Sequence, residues 1–140
     1  MYAICTCRPL DAERQSSYTL TVSAVDAANV GMRKQSSAKV HVTVDDVNDN
    51  SPLFKEGQKQ TVYFNENEPA GARVVRVRAD DADSGENGYV AYAIANLNAV
   101  PFEVDPFSGV IKTTRLIDFE SDRREYHLLV RASDWGTPFR

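Results

Sequence analysis

The chain has 140 residues, of which 20 are Asp or Glu and 16 are Lys or Arg, so its formal net charge at pH 7 is −4. It has no cluster of Lys and Arg of the kind that binds a phosphate backbone, which argues against a nucleic-acid partner. No apolar run approaches the roughly 18 residues that a membrane helix needs, so we expect any membrane anchor to lie outside this sequence. The opening MYAICTCRPL lacks the features of a signal peptide.

Cys5 and Cys7 are the only cysteines. A zinc site would need two further ligands, and the two histidines, His41 and His127, alternate with apolar neighbours as strand residues do. Positions i and i+2 of a strand have Cα atoms about 7 Å apart, too far for an easy disulfide. We therefore expect both cysteines to be ordinary strand residues, and we expect the single Trp135 to cap the end of a sandwich rather than to anchor a partner.

Four segments alternate apolar and polar residues in the way of half-buried strands. They are residues 18–24, 38–44, 75–79 and 126–132. No window of ten or more residues shows a convincing helical period, and turn signals such as Asp-Pro and Phe-Ser-Gly separate the strand segments. The pattern predicts an all-β antiparallel sandwich with Greek-key connections.

An oxygen-rich linker follows the second of these segments. Residues 46–50 read DVNDN, in which Asp46, Asn48 and Asp49 supply carboxylate and amide oxygens, and Pro52 then ends the segment with a fixed φ. Calcium takes about six to eight oxygen ligands in proteins. The linker therefore predicts a calcium site between two modules, although these five residues by themselves also suit a solvated Asn/Asp turn.

Part of the sequence occurs twice. Residues 10–26 recur as residues 117–134 with one inserted residue, so that Asp11 matches Asp118 at a distance of 107 positions. The other matched pairs are Glu13 with Glu120, Tyr18 with Tyr126, Val22 with Val130, Ala24 with Ala132, and Asp26 with Asp134. Such a period is that of a whole domain and too long for a solenoid repeat, so we expect the chain to be part of a tandem array.

The spaced motifs resemble those of the cadherin repeat family over nearly the whole chain. That family has xEN or xEP near the first strand, DxDxGxNG after the second, LDxE after the fifth, AxD ending the sixth and DxNDN closing the module. The matching positions here are Glu66 in NENEP, residues 81–88 in DADSGENG, Asp11 with Glu13 and their copies, Asp26 and Asp134, and the DVNDN linker. Residues 131–138, RASDWGTP, are similar to the giant Fat-type atypical cadherins.

The resemblance implies immunoglobulin-like Greek-key β-sandwich repeats of seven strands, arranged in tandem and joined by a calcium-binding linker. Residues 1–46 would then be the C-terminal part of one repeat, with its last three strands, and residues 47–52 the linker. Residues 53–140 would be a second repeat that lacks its final strand, since the segment matching residues 36–50 would begin near position 144.

Carried over position by position, the family's calcium ligands fall on one junction. The implied ligands are Asp11 and Glu13 from the upper module; Asp46, the Val47 carbonyl, Asn48, Asp49 and the Asn50 carbonyl from the linker; and Asp81, Asp83, the Asn87 carbonyl and Asp134 from the lower module. Four further acids would belong to neighbouring junctions, namely Asp26, Glu66, Asp118 and Glu120. Asp81 and Asp83 lie two positions apart and can both bind one ion, while Gly85 and Gly88 permit the turn that exposes a backbone carbonyl.

The acids among the ligands of this one junction surround a short connector. Each close pair of carboxylates there repels by about 1 kcal/mol at about 4 Å even in water. We expect the connector to be loose without calcium and stiff with it, at the millimolar calcium concentrations found outside cells. A tandem array with stiff connectors would form a rod. The resemblance implies that this rod serves calcium-dependent cell–cell adhesion. Its partners would be other cadherin ectodomains, in homophilic or heterophilic contacts, on the extracellular side of the plasma membrane as part of a larger single-pass membrane protein.

Three other interpretations are weaker. An enzyme could use Asp81 and Asp83 as paired carboxylates, but the sequence offers neither a nucleophile nor an activated histidine. An EF-hand starting at Asp46 would place Ser51 where glycine is required, and one starting at Asp81 would place Tyr92 where the bidentate Glu is required. The chain could also be a truncated, non-adhesive or regulatory fragment of a larger cadherin.

Overall fold

The computed structural model describes residues 4–27, 31–55, 60–96 and 101–138. Within these ranges the regular structure is entirely β, without a helix, which confirms the predicted all-β class. The chain divides into two compact units, Met1–Val47 and Asn48–Arg140.

All strand pairings in the described residues are antiparallel. The first unit contains β1 (Ser17–Val25) and β2 (Gln35–Thr43). The second unit contains β3 (Leu53–Phe54), β4 (Arg73–Arg76), β5 (Ala79–Asp80), β6 (Ala91–Ile94), β7 (Phe102–Val104), β8 (Val110–Thr113) and β9 (Val130–Ser133). Its strands form the pairs β3–β5 and β6–β9 and the three-stranded sheet β4–β8–β7.

The first unit is a long hairpin. β1 and β2 pair without interruption from Ser17 opposite Thr43 to Val25 opposite Gln35. This pairing confirms the strands predicted at residues 18–24 and 38–44, whose apolar residues share one face because side chains alternate along a strand. None of the described residues of this unit is buried.

The second unit has a hydrophobic core between its two main sheets. The buried cluster comprises Ile94 from β6, Phe102 from β7, Ile111 from β8, and Ile117. The Phe102 ring contacts Tyr126 edge-on, with ring centroids 5.1 Å apart. Partly buried valines of β4 and β9 pack against the cluster, so that apolar residues of both sheets meet in one layer, as a sandwich requires.

Two predicted strands differ from those observed. Residues 75–79 keep their alternation, with Arg76 and Arg78 exposed, but are divided between β4 and β5, which pair with different strands. In the segment 126–132, the pairing with β6 begins only at Val130. Before that point the Asn96 side chain replaces a neighbouring strand: it donates to the His127 carbonyl at 2.6 Å and accepts from the Leu129 N–H at 2.7 Å.

The interpretation of the cysteines as strand residues is wrong. Cys5 and Cys7 are exposed thiols that precede β1, and no described segment pairs with them. Trp135 is half-exposed after β9, and its ring lies 5.9 Å from that of Phe107.

The β4–β8 ladder separates the two loop regions of the second unit that carry most of its candidate ligands. Beyond one end, the Asn67 N–H donates to the Ile117 carbonyl at 2.8 Å, next to the loop of Asp118. Beyond the other end, the chain continues from Val77 through β5 to Asp81. The fold therefore places these two groups of candidate ligands at opposite ends of one sheet.

Candidate metal centre

The linker residue Asn48 is fixed within the second unit by two acceptors. Its side-chain amide donates to Asp134 Oδ1 at 3.1 Å and to the Pro138 carbonyl. Because both partners can only accept, they define which side of the amide carries nitrogen. Asp134, which directly follows β9, is 1% exposed and also accepts from the Gly136 N–H at 3.0 Å.

Asp81 and Asp83 form a compact turn after β5 that contacts the linker. The Asp83 N–H donates to Asp81 Oδ1 at 3.0 Å. The Asp83 carboxylate accepts from Asn50 twice, from the side-chain amide at 2.6 Å and from the backbone N–H at 3.1 Å. A carboxylate oxygen of Asp49 lies within 4.8 Å of one of Asp83. The linker and the turn therefore bring several oxygens of the second unit together.

Two of these candidate ligand atoms are buried without a hydrogen-bond partner in the described part of the chain. They are Asn48 Oδ1 and Asp81 Oδ2. A buried acceptor without a donor costs about 1–3 kcal/mol, which native proteins generally avoid. Neither Asp81 nor Asp83 forms an ion pair with a Lys, Arg or His among the described residues. A set of carboxylate and amide oxygens with uncompensated negative charge fits a hard divalent cation.

Two glycines keep the backbone close to these side chains. A Cβ atom at Gly136 would overlap the Asn48 amide and would lie 2.7 Å from Asn87 Oδ1. A Cβ atom at Gly88 would overlap the carbonyl of Asp83. Position 136 was not recognised from the sequence, because only the fold brings it next to the linker.

Three candidate ligands of the first unit, Asp11, Glu13 and Asp46, lie before β1 or after β2. Asp11 Oδ1 accepts from the Arg14 N–H at 2.9 Å. The Asp46 carboxyl, which hydrogen-bonds to that of Glu13, raises the pKa of Glu13 to about 7, and Asp11 adds to the effect. Two carboxylates in contact favour sharing a proton when no cation is near.

Glu66, Asp118 and Glu120 form a second group, here called the Asp118 cluster, with one oxygen of each within 4.8 Å of the others. Glu66 Oε2 accepts from the Phe119 N–H at 2.9 Å, and Asp118 Oδ1 accepts from the Glu120 N–H at 3.0 Å. The neighbouring Asp118 and Glu66 carboxylates raise the pKa of Glu120. The hydroxyl of Ser121, which donates to Asp118 at 2.8 Å, lowers the pKa of Asp118.

An ion pair beside the Asp118 cluster was missed by the sequence reasoning. Arg115 Nη1 and Nη2 donate to the two oxygens of Asp122 at 2.8 and 2.6 Å. This bidentate contact lowers the pKa of Asp122 to about 2. The only signal in the sequence was that both residues flank the IDFE motif, and that spacing predicts no pairing.

Two further predicted ligands, Val47 and Asp26, are exposed. Val47, at the end of the first unit, is 64% exposed. Asp26 follows the far end of β1, where its carboxylate accepts from the Lys34 N–H at 3.1 Å.

Comparison with known sequences places these features in a family context. The family model for the cadherin domain matches residues 60–140. The chain is 62% identical over 135 residues to the Fat-like cadherin-related tumor suppressor homolog of Drosophila melanogaster, covering 96% of this chain and 3% of that protein. It is 42% identical over 135 residues to Protocadherin Fat 1 of Homo sapiens, covering 94% of this chain and 3% of that protein. The chain thus spans a small part of these relatives.

Comparison with solved structures also matches the fold of this chain to cadherin ectodomains. The mouse Cadherin-23 EC22-24 structure matches with a TM-score of 0.80 and 34% identity, over 94% of this chain and 41% of that one. The mouse clustered PcdhgC3 EC1-3 structure matches with a TM-score of 0.82 and 31% identity, over 95% of this chain and 42% of that one. Both are cadherin ectodomain repeats.

A search of the described residues finds no helix with the length and apolar character that crossing a bilayer requires.

Proposed function

The chain belongs to the cadherin family, and we propose that it contributes a calcium-binding junction to an extracellular adhesion rod. Cadherins are adhesion proteins and not enzymes, and the motifs that carry the family resemblance here are mostly acidic. Residues 1–46 would be part of one repeat, residues 47–52 the linker and residues 53–140 the following repeat. The ligands would come from the linker and from both of these repeats.

One observation carries this proposal: the two buried oxygens, Asn48 Oδ1 and Asp81 Oδ2, have no hydrogen-bond partner among the described residues. The amide of Asn48 is held in place by Asp134 and by the Pro138 carbonyl, so its oxygen remains the group available for a cation. Asp81 is likewise held through its other oxygen, which accepts from Asp83. Both atoms would ligate without rearrangement of the side chains that carry them.

Calcium, when bound, would supply the positive charge that these buried carboxylates lack. The residues of the chain hold the ligand oxygens in position: Asn50 orients the Asp83 carboxylate, and Gly136 allows Asn48 to pack against the strand end. In the first unit, Glu13 and Asp46 would exchange their shared proton for the cation, since both carboxylates must be ionised to ligate.

We further propose that the chain acts as part of a larger membrane-anchored cadherin on the extracellular side of the plasma membrane. Its partners would be other cadherin ectodomains, of the same or of a different protein. Calcium affinities of about 10⁻⁴ to 10⁻³ M, as in extracellular modules, would keep the junction filled outside cells. A junction of this kind makes a tandem array stiff, because repulsion between the acids is replaced by attraction to the shared ions.

The test is isothermal titration calorimetry with calcium chloride on the Asp81→Asn variant. This change preserves the hydrogen bond to the Asp83 N–H and replaces the unpaired oxygen by a nitrogen that cannot ligate. We expect calcium affinity to fall by at least about tenfold, as affinity follows ligand charge. Glu86→Gln, in the same loop and exposed, is the matched control. Equal affinities for both variants would contradict the proposed role of Asp81.

A further inference from the structure

The loop of residues 115–122 is tied together by one arginine. Arg115 makes a two-pronged contact with Asp122, at 2.8 and 2.6 Å, and Arg115 Nη1 also donates to the Leu116 carbonyl at 2.9 Å. The planar guanidinium matches a carboxylate in this bidentate geometry, which an ammonium group cannot reproduce. The contact therefore fixes the two ends of the loop to each other.

Asp122, which Arg115 holds in place, in turn restrains the backbone of Asp118. Its oxygen Oδ2 accepts from the Asp118 N–H at 3.0 Å, and its own N–H donates to the Asp118 carbonyl at 2.8 Å. These reciprocal bonds hold the backbone of Asp118 in one place. The Asp118 carboxylate in turn accepts from the Glu120 N–H at 3.0 Å and from the Ser121 hydroxyl at 2.8 Å.

Asp122 is also the one acid of this loop that is neutralised by a cation within the loop. Glu66, Asp118 and Glu120 approach one another to within 4.8 Å, although their charges repel. A loop without internal ties would relieve this repulsion by moving the carboxylates apart. The Arg115–Asp122 pair opposes that movement.

We propose that Arg115 and Asp122 are positioning residues that hold the Asp118 cluster in a cation-ready arrangement, with Asp122 withheld from the ligand set. The inference rests on the proposed function, extended to the neighbouring junction for which the family resemblance implies Glu66, Asp118 and Glu120 as cation ligands. Groups that orient ligands from outside the coordination sphere typically change metal affinity by about 10- to 100-fold when they are mutated.

Removing the arginine distinguishes positioning from simple charge. Arg115→Met retains the aliphatic stem and removes a positive charge close to the cluster. If Arg115 acted only through its charge, calcium would bind more tightly in the variant, because a repelling cation is gone and Asp122 becomes available. Positioning requires the opposite sign, a dissociation constant raised by about tenfold.

The experiment is a calcium chloride titration of the full chain followed by residue-resolved NMR. Amide signals of Asp118, Phe119 and Glu120 report on the cluster, and those of Asn50 and Asp83 report on the junction in the same sample. Arg123→Met is the matched control. Arg123 follows Asp122 in the sequence, is exposed, and has no ion pair among the described residues. We expect weaker binding at the cluster in Arg115→Met only, with unchanged titration at the junction.

A second measurement reads the positioning without calcium. The N–H of Asp118 donates to Asp122, and its hydrogen exchange should be at least about fivefold faster in Arg115→Lys. The lysine ammonium keeps the positive charge but cannot form the bidentate contact with Asp122. Unchanged exchange, or calcium binding as tight as in the wild type, would overturn the positioning role alone. Absence of calcium-dependent shifts at residues 118–120 of the wild type would overturn the proposed function of the cluster, and the inference with it.

Discussion

The hairpin of the first unit and the sandwich of the second unit use the same alternation of apolar and polar residues, with different results for burial. Val22, in the middle of β1, is 42% exposed, whereas Ile111, in the middle of β8, is 2% exposed. β1 and β2 pair over nine residues each, more than any strand of the second unit. Strand pairing is thus a local property, whereas burial needs a second layer that packs on the apolar face.

The comparison also separates two kinds of polar residue. In the first unit the acids lie at exposed or half-buried positions. In the second unit Asp83 and Asp134 are 8% and 1% exposed and lie where the linker meets the strand ends. Buried carboxylates need compensation that solvent does not provide. The candidate metal centre of the second unit is therefore a consequence of the same packing that buries the core.

Truncation of a core side chain should show the difference in packing between the two units most clearly. Ile111→Ala removes a fully packed side chain, and we expect a loss of about 3 kcal/mol of unfolding free energy. The matched change in the hairpin, Val22→Ala, should cost about 1 kcal/mol or less, because Val22 remains 42% exposed in the folded chain. Urea unfolding followed by NMR signals of each unit measures both. Similar losses would show that the hairpin face is as well packed as the core.

Gly136→Ala should cost the next largest amount. The added methyl group would overlap the Asn48 amide, and overpacking of this kind costs about 1–3 kcal/mol. In an Asn48→Ala background most of the obstruction is gone, so Gly136→Ala should reduce the free energy of unfolding considerably less. A double-mutant cycle of thermal unfolding measures the coupling between the two positions. Additive effects would mean that the two residues do not interact.

Calcium should sharpen the difference between the units, because Asn48 Oδ1 and Asp81 Oδ2, the two oxygens on which the proposed site rests, belong to the second unit. With about 2 mM calcium and a dissociation constant of about 0.1 mM, one site adds about 1.8 kcal/mol of unfolding free energy. Thermal unfolding monitored by the single tryptophan, Trp135, with calcium and with a chelator measures this gain. Magnesium at the same concentration is the control and should stabilise less, because it gives up its water reluctantly. Superimposable curves with calcium and with chelator would contradict a calcium site.

Acid should weaken the turn between β7 and β8 by the smallest of these effects. The Ser108 N–H, which donates to Asp105 Oδ1 at 2.7 Å, lowers the pKa of Asp105, aided by the Ser108 hydroxyl and the Phe107 N–H. A carboxylate with a lowered pKa in the folded state stabilises the fold above its unfolded pKa of about 3.9, and this contribution is lost as pH falls through the folded value.

Asp105→Asn should therefore be less stable than the wild type at pH 6, and the difference should shrink towards pH 2. Acid unfolding curves of the two proteins provide the measurement. A difference that stays constant with pH would show that the Asp105 charge does not contribute.

Much of the fold was predictable because alternation and motifs are local. The strands at residues 18–24 and 38–44 were predicted correctly, since period-2 patterning needs no knowledge of distant residues. Residues 126–132 were predicted too long, because the Asn96 side chain, more than 30 positions away, replaces strand pairing there. The position of Asn96 relative to that segment is set by the sandwich and leaves no mark in the local sequence.

The sequence by itself determined the all-β class, the family and the identity of the acidic residues, because each of these depends on residue types at fixed spacings along the chain. Only the tertiary structure decided which of the acids are buried, that Asn48 is held by Asp134 from 86 positions away, and that Arg115 is paired with Asp122. Contacts of this kind depend on how loops meet at the ends of sheets. The free energy that selects them comes from packing and hydrogen bonding between segments, which the order of residues along the chain does not display.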